Sequence, residues 1–368
     1  MRNKLKKIII ATGGTGGHVI PAYCLAKHFI DNKKANVKII SDKRGLRYLK
    51  NYHDVKIIEI ISSTIFKKNI FQFLLSILII FYSTFRSLIF LLINRPNLVF
   101  GMGGYSSFPV CIAAKILRIP FIIYENNLHI GKANRYLLPY AKKIFVSYKE
   151  LEGISEKYQK KVCEIGNIIR KEILNFQVKS DSDQSDRKLK ILILGGSQAA
   201  KVFAERLPKI FKECNEAKIS LKIYQQCLPE QNKSLTSFYE HLNIDFEIFN
   251  FSNNILDYFS KINLAITRSG SSMLAELINA KIPFISVPLP SSADDHQLKN
   301  AIYYEKNGFS YLIEEKDLDV KLFKLIKKIS EDKSLLNQII SKQRQYSDKS
   351  VYDNIDKKID KIINNEEH

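Results

Sequence analysis

The chain carries the sequence KIIIATGGTGGH at residues 7–18, close to the start of its 368 residues. A short, continuous apolar run is typical of a strand buried in a parallel sheet, and the glycines behind it predict a turn that leads into a helix. The same order recurs in LVFGMGGY at residues 98–105 and in LKILILGGSQ at residues 189–198. Strands that alternate with helices in this way predict an α/β fold with parallel sheets.

The β–turn–α pattern starts afresh at Leu189, after the polar stretch KSDSDQSD at residues 179–186. We therefore expect two α/β domains with a cleft between them, at residues 1–166 and 167–350. A final helix at residues 351–368 could return to the first domain. Ligands of open parallel sheets bind at the carboxyl ends of the strands, where the glycine turns lie. Five other apolar runs are predicted strands: residues 37–41, 121–124, 143–146, 264–267 and 284–287.

The composition of the chain is that of a globular protein. Apolar residues make up 45% and charged residues 26%, which excludes a mostly disordered chain, a collagen-like repeat and a polytopic membrane protein. The formal charge is +20, and residues 1–166 hold 27 Lys and Arg against 9 Asp and Glu, a net of +18. Such an asymmetry points to nucleic acid or to a membrane surface as a partner.

The cysteines indicate a reducing compartment. There are five, they are widely spaced and they form no CxxC pair, so the sequence contains no disulfide or zinc framework. The N-terminal apolar run ends at Gly13-Gly14 and is too short for the apolar core of a signal peptide.

One long apolar segment allows three interpretations. Residues 69–85 carry no charge, Arg86 follows, and residues 87–93 are apolar again. The segment is borderline for a spanning helix, which needs about 20 mostly apolar residues. It could instead lie in a membrane interface, flanked by Lys67, Lys68, Arg86 and Arg95, or it could be a core helix that covers the sheet.

The loop at residues 12–18 suits an anionic ligand. It is not the dinucleotide fingerprint, because Val19 stands where the last glycine is needed. Glycines nevertheless let backbone N–H groups approach an anion at a helix N-terminus. In that first turn the helix dipole disfavours imidazolium, so His18 would stay neutral and could accept a proton. A plain tight turn between strand and helix is the alternative interpretation.

Two loops of the second half carry polar side chains. Residues 267–276 (TRSGSSMLAE) predict a strand, a turn and a helix start, where serine hydroxyls lie beside free N–H donors. The carboxylate of Glu276 could accept two hydrogen bonds from a ribose diol, or it could simply be solvated. Residues 287–297 follow another strand and suit a ligand with several hydroxyls.

In order and spacing, these motifs resemble the MurG-type transferases of glycosyltransferase family 28. The motifs are the glycine–His loop, the glycine loops at 101–105 and 195–198, Arg268-Ser269-Gly270 with Glu276, and residues 294–297. The resemblance covers about residues 7–310. It implies a GT-B fold of two Rossmann-like domains and transfer of N-acetylglucosamine, with inversion, from UDP-N-acetylglucosamine to lipid I. Lipid I is the undecaprenyl-diphosphate-linked muramoyl-pentapeptide, and the product is lipid II of peptidoglycan synthesis.

The resemblance also implies roles for single residues. His18 is the expected catalytic base or a diphosphate contact. The expected substrate contacts are Thr15, Gly16, Gly17, Asn127, Arg170, Ser197, Ser252, Ser271, Ser272, Met273, Leu274, Ala275, Glu276 and Gln297. The sequence departs from the family at Tyr124, where His is usual, at Asn126, where Gln is usual, and at Ile168, where Pro is expected.

The expected partners are UDP-N-acetylglucosamine, the undecaprenyl-linked acceptor and the anionic cytoplasmic face of the bacterial inner membrane, without nucleic acid. No cofactor and no metal site are expected, because helix N-termini, Ser197 and Arg170 could stabilise the leaving diphosphate. Asp181-Ser182-Asp183 matches the Asp-x-Asp metal motif only by chance, since it lies in a polar linker.

Three other functions remain open on the sequence. A related GT-B transferase could glycosylate a diacylglycerol lipid. A UDP-N-acetylglucosamine 2-epimerase would have the same architecture but would need no membrane-facing segment. A nucleic-acid-binding protein would explain the charge, but it would place basic residues between aromatic ones along a groove.

Overall fold

The computed structural model describes residues 5–63, 69–176, 188–250 and 254–363, with the side chains of residues 196–200 excepted. The chain divides into two compact units. Unit 1 consists of residues 1–171 and 348–368, and unit 2 consists of residues 172–347.

Unit 1 is built on a parallel sheet that has seven strands in the described residues, in the order β3-β2-β1-β4-β5-β6-β7. The strands are β1 Lys6–Ala11, β2 Ala35–Ser41, β3 Lys56–Glu59, β4 Leu98–Gly101, β5 Phe121–Glu125, β6 Lys143–Val146 and β7 Val162–Glu164. The helices are α1 Gly16–Asp31, α2 Lys43–Leu49, α3 Ile70–Asn94, α4 Ser107–Ile116 and α5 Lys132–Leu137. The short helix α6, Lys171–Leu174, begins at the last residue of the 1–171 stretch and continues into unit 2.

Unit 2 has a second parallel sheet, whose six described strands lie in the order β10-β9-β8-β11-β12-β13. The strands are β8 Leu189–Leu194, β9 Leu221–Gln226, β10 Asp245–Phe249, β11 Leu264–Thr267, β12 Phe284–Ser286 and β13 Tyr311–Leu312. The helices are α7 Gly196–Glu216, α8 Asn232–His241, α9 Leu256–Phe259, α10 Ser271–Ala280, α11 His296–Lys306, α12 Leu318–Glu331 and α13 Ser334–Gln343. Short 3-10 helices are present in this unit at Pro229–Gln231, Ala293–Asp295 and Glu315–Asp317, and in unit 1 at Glu156–Lys161.

Each unit has its own apolar core. Central strands such as β1 and β8 are buried on both faces, so their sequences are almost continuously apolar. All eight strands predicted from the sequence are present. The strands that the sequence did not reveal include β3 and β10, whose residues are all half-buried or exposed, so that neither carries a continuous apolar run.

The last helix of the chain belongs to unit 1. It is α14, Val351–Ile363, and its buried residues include Ile355, Ile359 and Ile362, at the spacing of one helix face. The Asp356 carboxylate lies 3.0 Å from His28 Nε2 in α1, and the ring of Tyr352 stacks on that imidazole at 4.6 Å between centroids. Tyr352 also donates its hydroxyl to the carbonyl of Ile169 at 2.6 Å.

The apolar segment forms α3, a helix of 25 residues that shows its apolar face to the outside. Its buried residues are Ser76, Ser83, Ser87 and Leu91, which follow one another along a single narrow stripe. Its large apolar side chains are exposed, with 78% exposure at Phe71 and 75% at Phe81. The interpretation of this segment as a buried core helix is therefore wrong.

Serine hydroxyls attach α3 to the chain segment in front of it. Ser83 Oγ donates to the carbonyl of Ile61 at 2.6 Å, and Ser63 Oγ donates to Ser76 Oγ at 3.0 Å. By length and composition alone α3 could cross a membrane, and 22% of its apolar window is buried. The stripe from Ser76 to Leu91 extends over about 22 Å of helix, so α3 lies along unit 1 rather than projecting from it.

Candidate functional site

The first glycine loop leads from β1 into α1. Thr15 is the N-cap residue of α1, so Gly16, Gly17 and His18 form its first turn, and the His18 amide donates to the Thr15 carbonyl at 3.1 Å. His18 is half-buried there. The turn from strand to helix that the sequence predicts is therefore present, and anion binding by this loop stays a prediction.

A proline inside α1 explains the role of Asn126. Pro21 lies four residues after Gly17 and has no N–H, so it cannot donate the usual helical hydrogen bond to the Gly17 carbonyl. Asn126 Nδ2 donates to that carbonyl instead, at 2.8 Å. The departure from the family at Asn126 therefore keeps an amide that joins the end of β5 to the first loop.

The second glycine loop packs against the first. A Cβ atom on Gly103 would lie 2.7 Å from His18 Nδ1, and one on Gly104 would lie 2.4 Å from the Gly13 carbonyl oxygen. Both glycines also have positive φ, a conformation that other residues rarely adopt. Ser106 Oγ donates to the Thr12 carbonyl at 2.6 Å and ties the two loops together. The glycines at 103 and 104 are therefore required by the close approach of His18 and of the first loop.

Glu125 organises the loop after β5. Its side chain is buried, and Oε1 accepts hydrogen bonds from the backbone and the side-chain amide of Asn127 at 3.1 and 3.0 Å. Oε2 accepts from the Gly131 amide at 2.8 Å and from Asn134 Nδ2 at 3.0 Å. Asn127, a predicted donor-sugar contact, is thus held in place by a carboxylate that the sequence analysis did not single out.

Asp42 is a second residue that the sequence analysis missed. It follows β2 directly and is buried, with 3% exposure. Oδ1 accepts from the amides of Gly14 and Gly45 at 3.0 and 2.9 Å, and Oδ2 accepts from Ser62 Oγ at 2.8 Å and Arg44 Nη2 at 2.9 Å. Burial opposes ionisation, but these hydrogen bonds together lower the pKa of Asp42 below its ordinary value.

Two departures from the family compensate for each other. The hydroxyl of Tyr124 accepts the backbone N–H of Ile168 at 3.0 Å and bonds Ser147 Oγ at 2.9 Å. The Pro expected at position 168 has no N–H to offer, and His at 124 would not present this hydroxyl. Burial raises the pKa of Tyr124, so the phenol stays protonated and can donate to Ser147.

Arg170 lies at the end of unit 1, directly before α6, and is half-buried. The chain leading to it is fixed by the C-terminal part of unit 1, because Asp348 accepts from the Asn167 amide at 2.9 Å and from Asn167 Nδ2 at 3.2 Å. Gly166 has a φ of +93°, and a Cβ there would lie 2.6 Å from Asp348 Oδ1. A predicted nucleotide contact thus follows a rigid segment.

In unit 2 the predicted contacts lie at the start of α10. Ser271 is the first residue of the helix and Gly270 its N-cap, so the amides of Ser271, Ser272 and Met273 form the first turn. The side chains of Leu274 and Ala275 are fully buried and can offer a ligand only their backbone. Glu276 is 2% exposed, which excludes the interpretation of its carboxylate as a solvated one.

The arginine of the Arg-Ser-Gly motif has a structural role. Arg268 is 6% exposed, its Nη1 donates to the carbonyls of Val287 and Pro288 at 3.2 Å, and its Nη2 pairs with Glu315. It therefore fixes the chain after β12, from which the 287–297 loop departs.

That loop ends in a strained turn before α11. Asp294 and Asp295 both have left-handed φ values, of 51° and 52°, a conformation that is uncommon outside glycine and clusters at functional sites. Gln297 accepts the Leu289 amide at 3.0 Å through Oε1. This bond fixes the orientation of the Gln297 side chain, whose amide oxygen faces Leu289 across the loop.

Three predictions fall where the structure describes nothing or only backbone. Ser252 and the Asp181-Ser182-Asp183 stretch lie outside the described residues, and so does the side chain of Ser197. Within the described part of the chain, no three His, Cys, Asp or Glu side chains are grouped so that they could hold a metal ion. All five cysteines are buried thiols, and burial raises the pKa of Cys214 to about 12.

Comparison with known proteins places these loops in a family. Residues 8–146 match the glycosyltransferase family 28 N-terminal domain, and residues 190–358 match its C-terminal domain. A Pelagibacter ubique protein is 35% identical over 98% of this chain and 99% of its own length. A Rickettsia bellii protein is 35% identical over 89% of this chain and 90% of its own. Both are named UDP-N-acetylglucosamine--N-acetylmuramyl-(pentapeptide) pyrophosphoryl-undecaprenol N-acetylglucosamine transferase.

Solved structures agree with this result. The crystal structure of Acinetobacter baumannii MurG has 26% sequence identity and a TM-score of 0.76, and the match covers 97% of this chain and 99% of that one. The S. aureus MnaA–UDP structure, with 17% identity and a TM-score of 0.69 over 98% of this chain and 97% of that one, shares the fold. The prediction of an α/β fold of GT-B type with two parallel-sheet domains is confirmed. The chain belongs to glycosyltransferase family 28.

Proposed function

We propose that this glycosyltransferase moves N-acetylglucosamine from UDP-N-acetylglucosamine to undecaprenyl-diphosphate-linked muramoyl-pentapeptide, lipid I, and so makes lipid II for peptidoglycan. The observation that carries the proposal is the 35% identity, over nearly the whole of both chains, to a transferase named for this reaction. The glycine–His loop that carries the resemblance is present in this chain, and the His18 ring lies close against the backbone of Gly103.

The proposed chemistry is a direct, inverting displacement at the anomeric carbon. The acceptor hydroxyl must lose a proton as it attacks, and His18 is the proposed base. The position of its ring supports this role, because the ring is half-buried against the second glycine loop and is therefore already oriented when a substrate binds. The leaving UDP gains negative charge, which a helix N-terminus such as that of α10 can stabilise without a metal.

We assign the two substrates to different units. The acceptor belongs to unit 1, with its basic charge and its apolar helix, and the UDP-sugar belongs to unit 2. The proposed donor contacts in unit 2 are Ser197, Ser252, Gln297 and the α10 residues Ser271, Ser272, Met273, Leu274, Ala275 and Glu276. In unit 1 the proposed substrate contacts are Thr15, Gly16, Gly17, Asn127 and Arg170.

The outward apolar face of α3 supports a peripheral place on the cytoplasmic side of the bacterial inner membrane. Leu74, Leu78 and Phe81 are 51%, 65% and 75% exposed, and a contiguous apolar surface of this kind marks an interaction site. Because α3 lies along unit 1 through its serine stripe, we place it in the plane of the interface rather than across the bilayer.

Basic side chains lie beside the C-terminal part of α3 and on α4, which packs against α3. Lys38 Nζ is 5.7 Å from the centre of the Phe90 ring in α3, and Lys7 Nζ donates to the carbonyl of Asn94 at the end of α3. Lys115, after which the exposed Ile116 ends α4, lies 3.3 Å from the centre of the Tyr140 ring. Each lysine or arginine near an anionic leaflet contributes about 1 kcal/mol to membrane binding.

Transfer of labelled N-acetylglucosamine from its UDP form to a lipid I analogue tests the function. We expect a β-linked disaccharide product on the lipid, formed equally well in the presence of a chelator. A diacylglycerol acceptor and a reaction without acceptor serve as controls for the two other enzyme activities. Product only on the diacylglycerol, or a 2-epimer of the sugar nucleotide without acceptor, would refute the proposal.

A further inference from the structure

The carboxylate of Asp42 joins two parts of unit 1 that the proposed reaction uses separately. One is the first glycine loop, which carries His18 in the turn that follows. The other is the segment at residues 61–63, on which α3 rests. We propose that Asp42 is a positioning residue for the transfer reaction, which holds the glycine loop and connects it to the seat of α3. This inference rests on the proposed function.

On the loop side, a single oxygen fixes the backbone. Asp42 Oδ1 accepts from Gly14 and from Gly45, the first at 3.0 Å and the second at 2.9 Å. Gly14 has a φ of +83° and a Cβ on Gly13 would lie 2.9 Å from that same oxygen. The carboxylate therefore fills the space beside the loop, and the Gly14 amide is used to hold the loop rather than to bind a ligand.

On the α3 side, three consecutive residues form the seat. Ser62 Oγ donates to Asp42 Oδ2 at 2.8 Å. Its neighbour Ile61 accepts from Ser83 Oγ of α3, and its other neighbour Ser63 donates to Ser76 Oγ of α3. Hydrogen bonds thus connect α3 to Ile61 and Ser63, and Ser62, which lies between these two residues in the chain, is bonded through Asp42 to Gly14.

Through these bonds, binding at the exposed face of α3 can change the order of the first glycine loop. A lipid surface that binds α3 stabilises the present contacts of α3 with residues 61–63. These contacts hold Ser62 within hydrogen-bond distance of Asp42. A ligand shifts an equilibrium only as far as it binds one state better, so the effect on the loop is limited by the bonds that connect the two. We therefore expect lipid contact to order the loop beneath His18.

Ser62→Ala tests the connection, because it removes the bond to the seat and leaves both amide bonds of Asp42 Oδ1. Amide hydrogen exchange at residues 13–18 is measured with and without vesicles of phosphatidylglycerol and phosphatidylethanolamine. In the native protein we expect vesicles to slow this exchange about fivefold, the factor that one ordinary hydrogen bond contributes. In Ser62→Ala the vesicle effect is lost while vesicle binding is retained.

Thr84→Ala is the matched control, since Thr84 Oγ1 bonds only the Ile80 carbonyl within α3 at 2.8 Å among the contacts described. It should keep the full vesicle effect. An unchanged vesicle effect in Ser62→Ala, or no effect of vesicles on the native loop, would overturn the proposal. Because exchange is read without substrates, this result is independent of whether the native protein transfers sugar to lipid I.

The positioning role itself is tested by kinetics with a short-chain, soluble acceptor. Asp42→Asn keeps an oxygen for the two amides and should retain most of the turnover, whereas Asp42→Ala should lower kcat at least tenfold with little change in the KM for the UDP-sugar. Equal kcat in the two variants, with both folded by circular dichroism, would remove Asp42 from the positioning role.

Discussion

At the scale of single residues, His18 is the side chain on which the proposed chemistry depends. It is half-buried, and its ring lies against the second glycine loop, where position 103 has no room for a side chain. This packing fixes the ring before any substrate binds, and a fixed base needs no reorganisation at the moment of reaction.

His18→Ala should lower kcat by about 100-fold to 10,000-fold, the usual contribution of a positioned base. Binding of UDP should be nearly unchanged, because the nucleotide contacts are assigned to other residues. Transfer assays and calorimetric titration with UDP measure the two quantities. His53→Ala, at an exposed position of unit 1, is the control. A variant at His18 with native turnover would show that another group accepts the proton.

The pair of Tyr124 and Ile168 makes a second prediction at this scale. Tyr124→Phe leaves the buried Ile168 N–H without its acceptor, which should lower the free energy of unfolding by about 1–3 kcal/mol. Adding Ile168→Pro removes that donor as well, so the double variant should lose less stability than the two single variants together. Denaturant unfolding of the four proteins measures the coupling, and strict additivity would contradict it.

The residues that the sequence revealed and those that it concealed differ in how they act. The glycines and His18 form a local pattern, so their place at a strand end could be predicted. Asp42 and Asn126 act through the backbone groups of Gly14 and Gly17, which are distant in sequence, whereas Glu125 acts on the irregular loop that follows it. Single side chains of this kind carry no periodic or local signal, and only the folded chain shows their partners.

At the scale of elements, α3 is the helix whose large apolar side chains are exposed to the outside of the protein. Its serines are buried and four of its five phenylalanines are exposed, the reverse of an ordinary surface helix. The sequence predicted a helix here but not its surroundings, because a helix covered by protein and a helix covered by lipid both have apolar sequences.

Replacing Leu74, Leu78 and Phe81 together by serine should weaken binding to anionic vesicles at least tenfold. Each large apolar side chain contributes about 1.5–3 kcal/mol when it is fully buried, and partial insertion yields part of that. The melting temperature should stay within a few degrees, because these side chains pack on nothing in the protein core. Val320→Ser is the control, since Val320 is equally exposed, at 62%, but lies in unit 2. Vesicle sedimentation measures the binding, and unaltered sedimentation would argue for a protein partner on this face.

At the scale of the whole molecule, the two halves of the chain resemble each other in fold but not in charge. The strongly basic half builds most of unit 1, and the nearly neutral half builds unit 2. The sequence predicted two parallel-sheet domains, since the β–turn–α pattern restarts. It missed edge strands such as β3 and β7, because a short strand with one neighbour needs little apolar sequence.

The ion pair between α14 and α1 predicts a pH dependence. Burial opposes ionisation of Asp356, but bonds from His28 and Lys34 lower its pKa below the ordinary value. A carboxyl whose pKa is lower in the folded state stabilises that state above about pH 3.9, its unfolded value. The contribution is lost as the pH falls through the lower folded value.

We therefore expect α14 to be released in acid before unit 1 unfolds. Protection factors of the α14 amides, which are the intrinsic exchange rates at each pH divided by the measured ones, should fall more between pH 6 and pH 3 than those of α1. In Asp356→Asn the protection factors should already be lowered at pH 6 and should change less with pH. The exposed Asp353→Asn is the control in the same helix. A parallel pH response in native protein and Asp356→Asn would exclude the carboxylate as its cause.

The packing of α14 on unit 1 also has a consequence for folding during synthesis. A ribosome releases the first residues early, and domains synthesised first usually fold first. Here the unit made first cannot be finished until residues 348–356 have been synthesised, because Asp348, Tyr352 and Asp356 bond Asn167, Ile169 and His28. Unit 2, contiguous in sequence, can be complete by then. Unit 1, which carries the exposed apolar face of α3, is thus completed only after the whole of unit 2 has been synthesised.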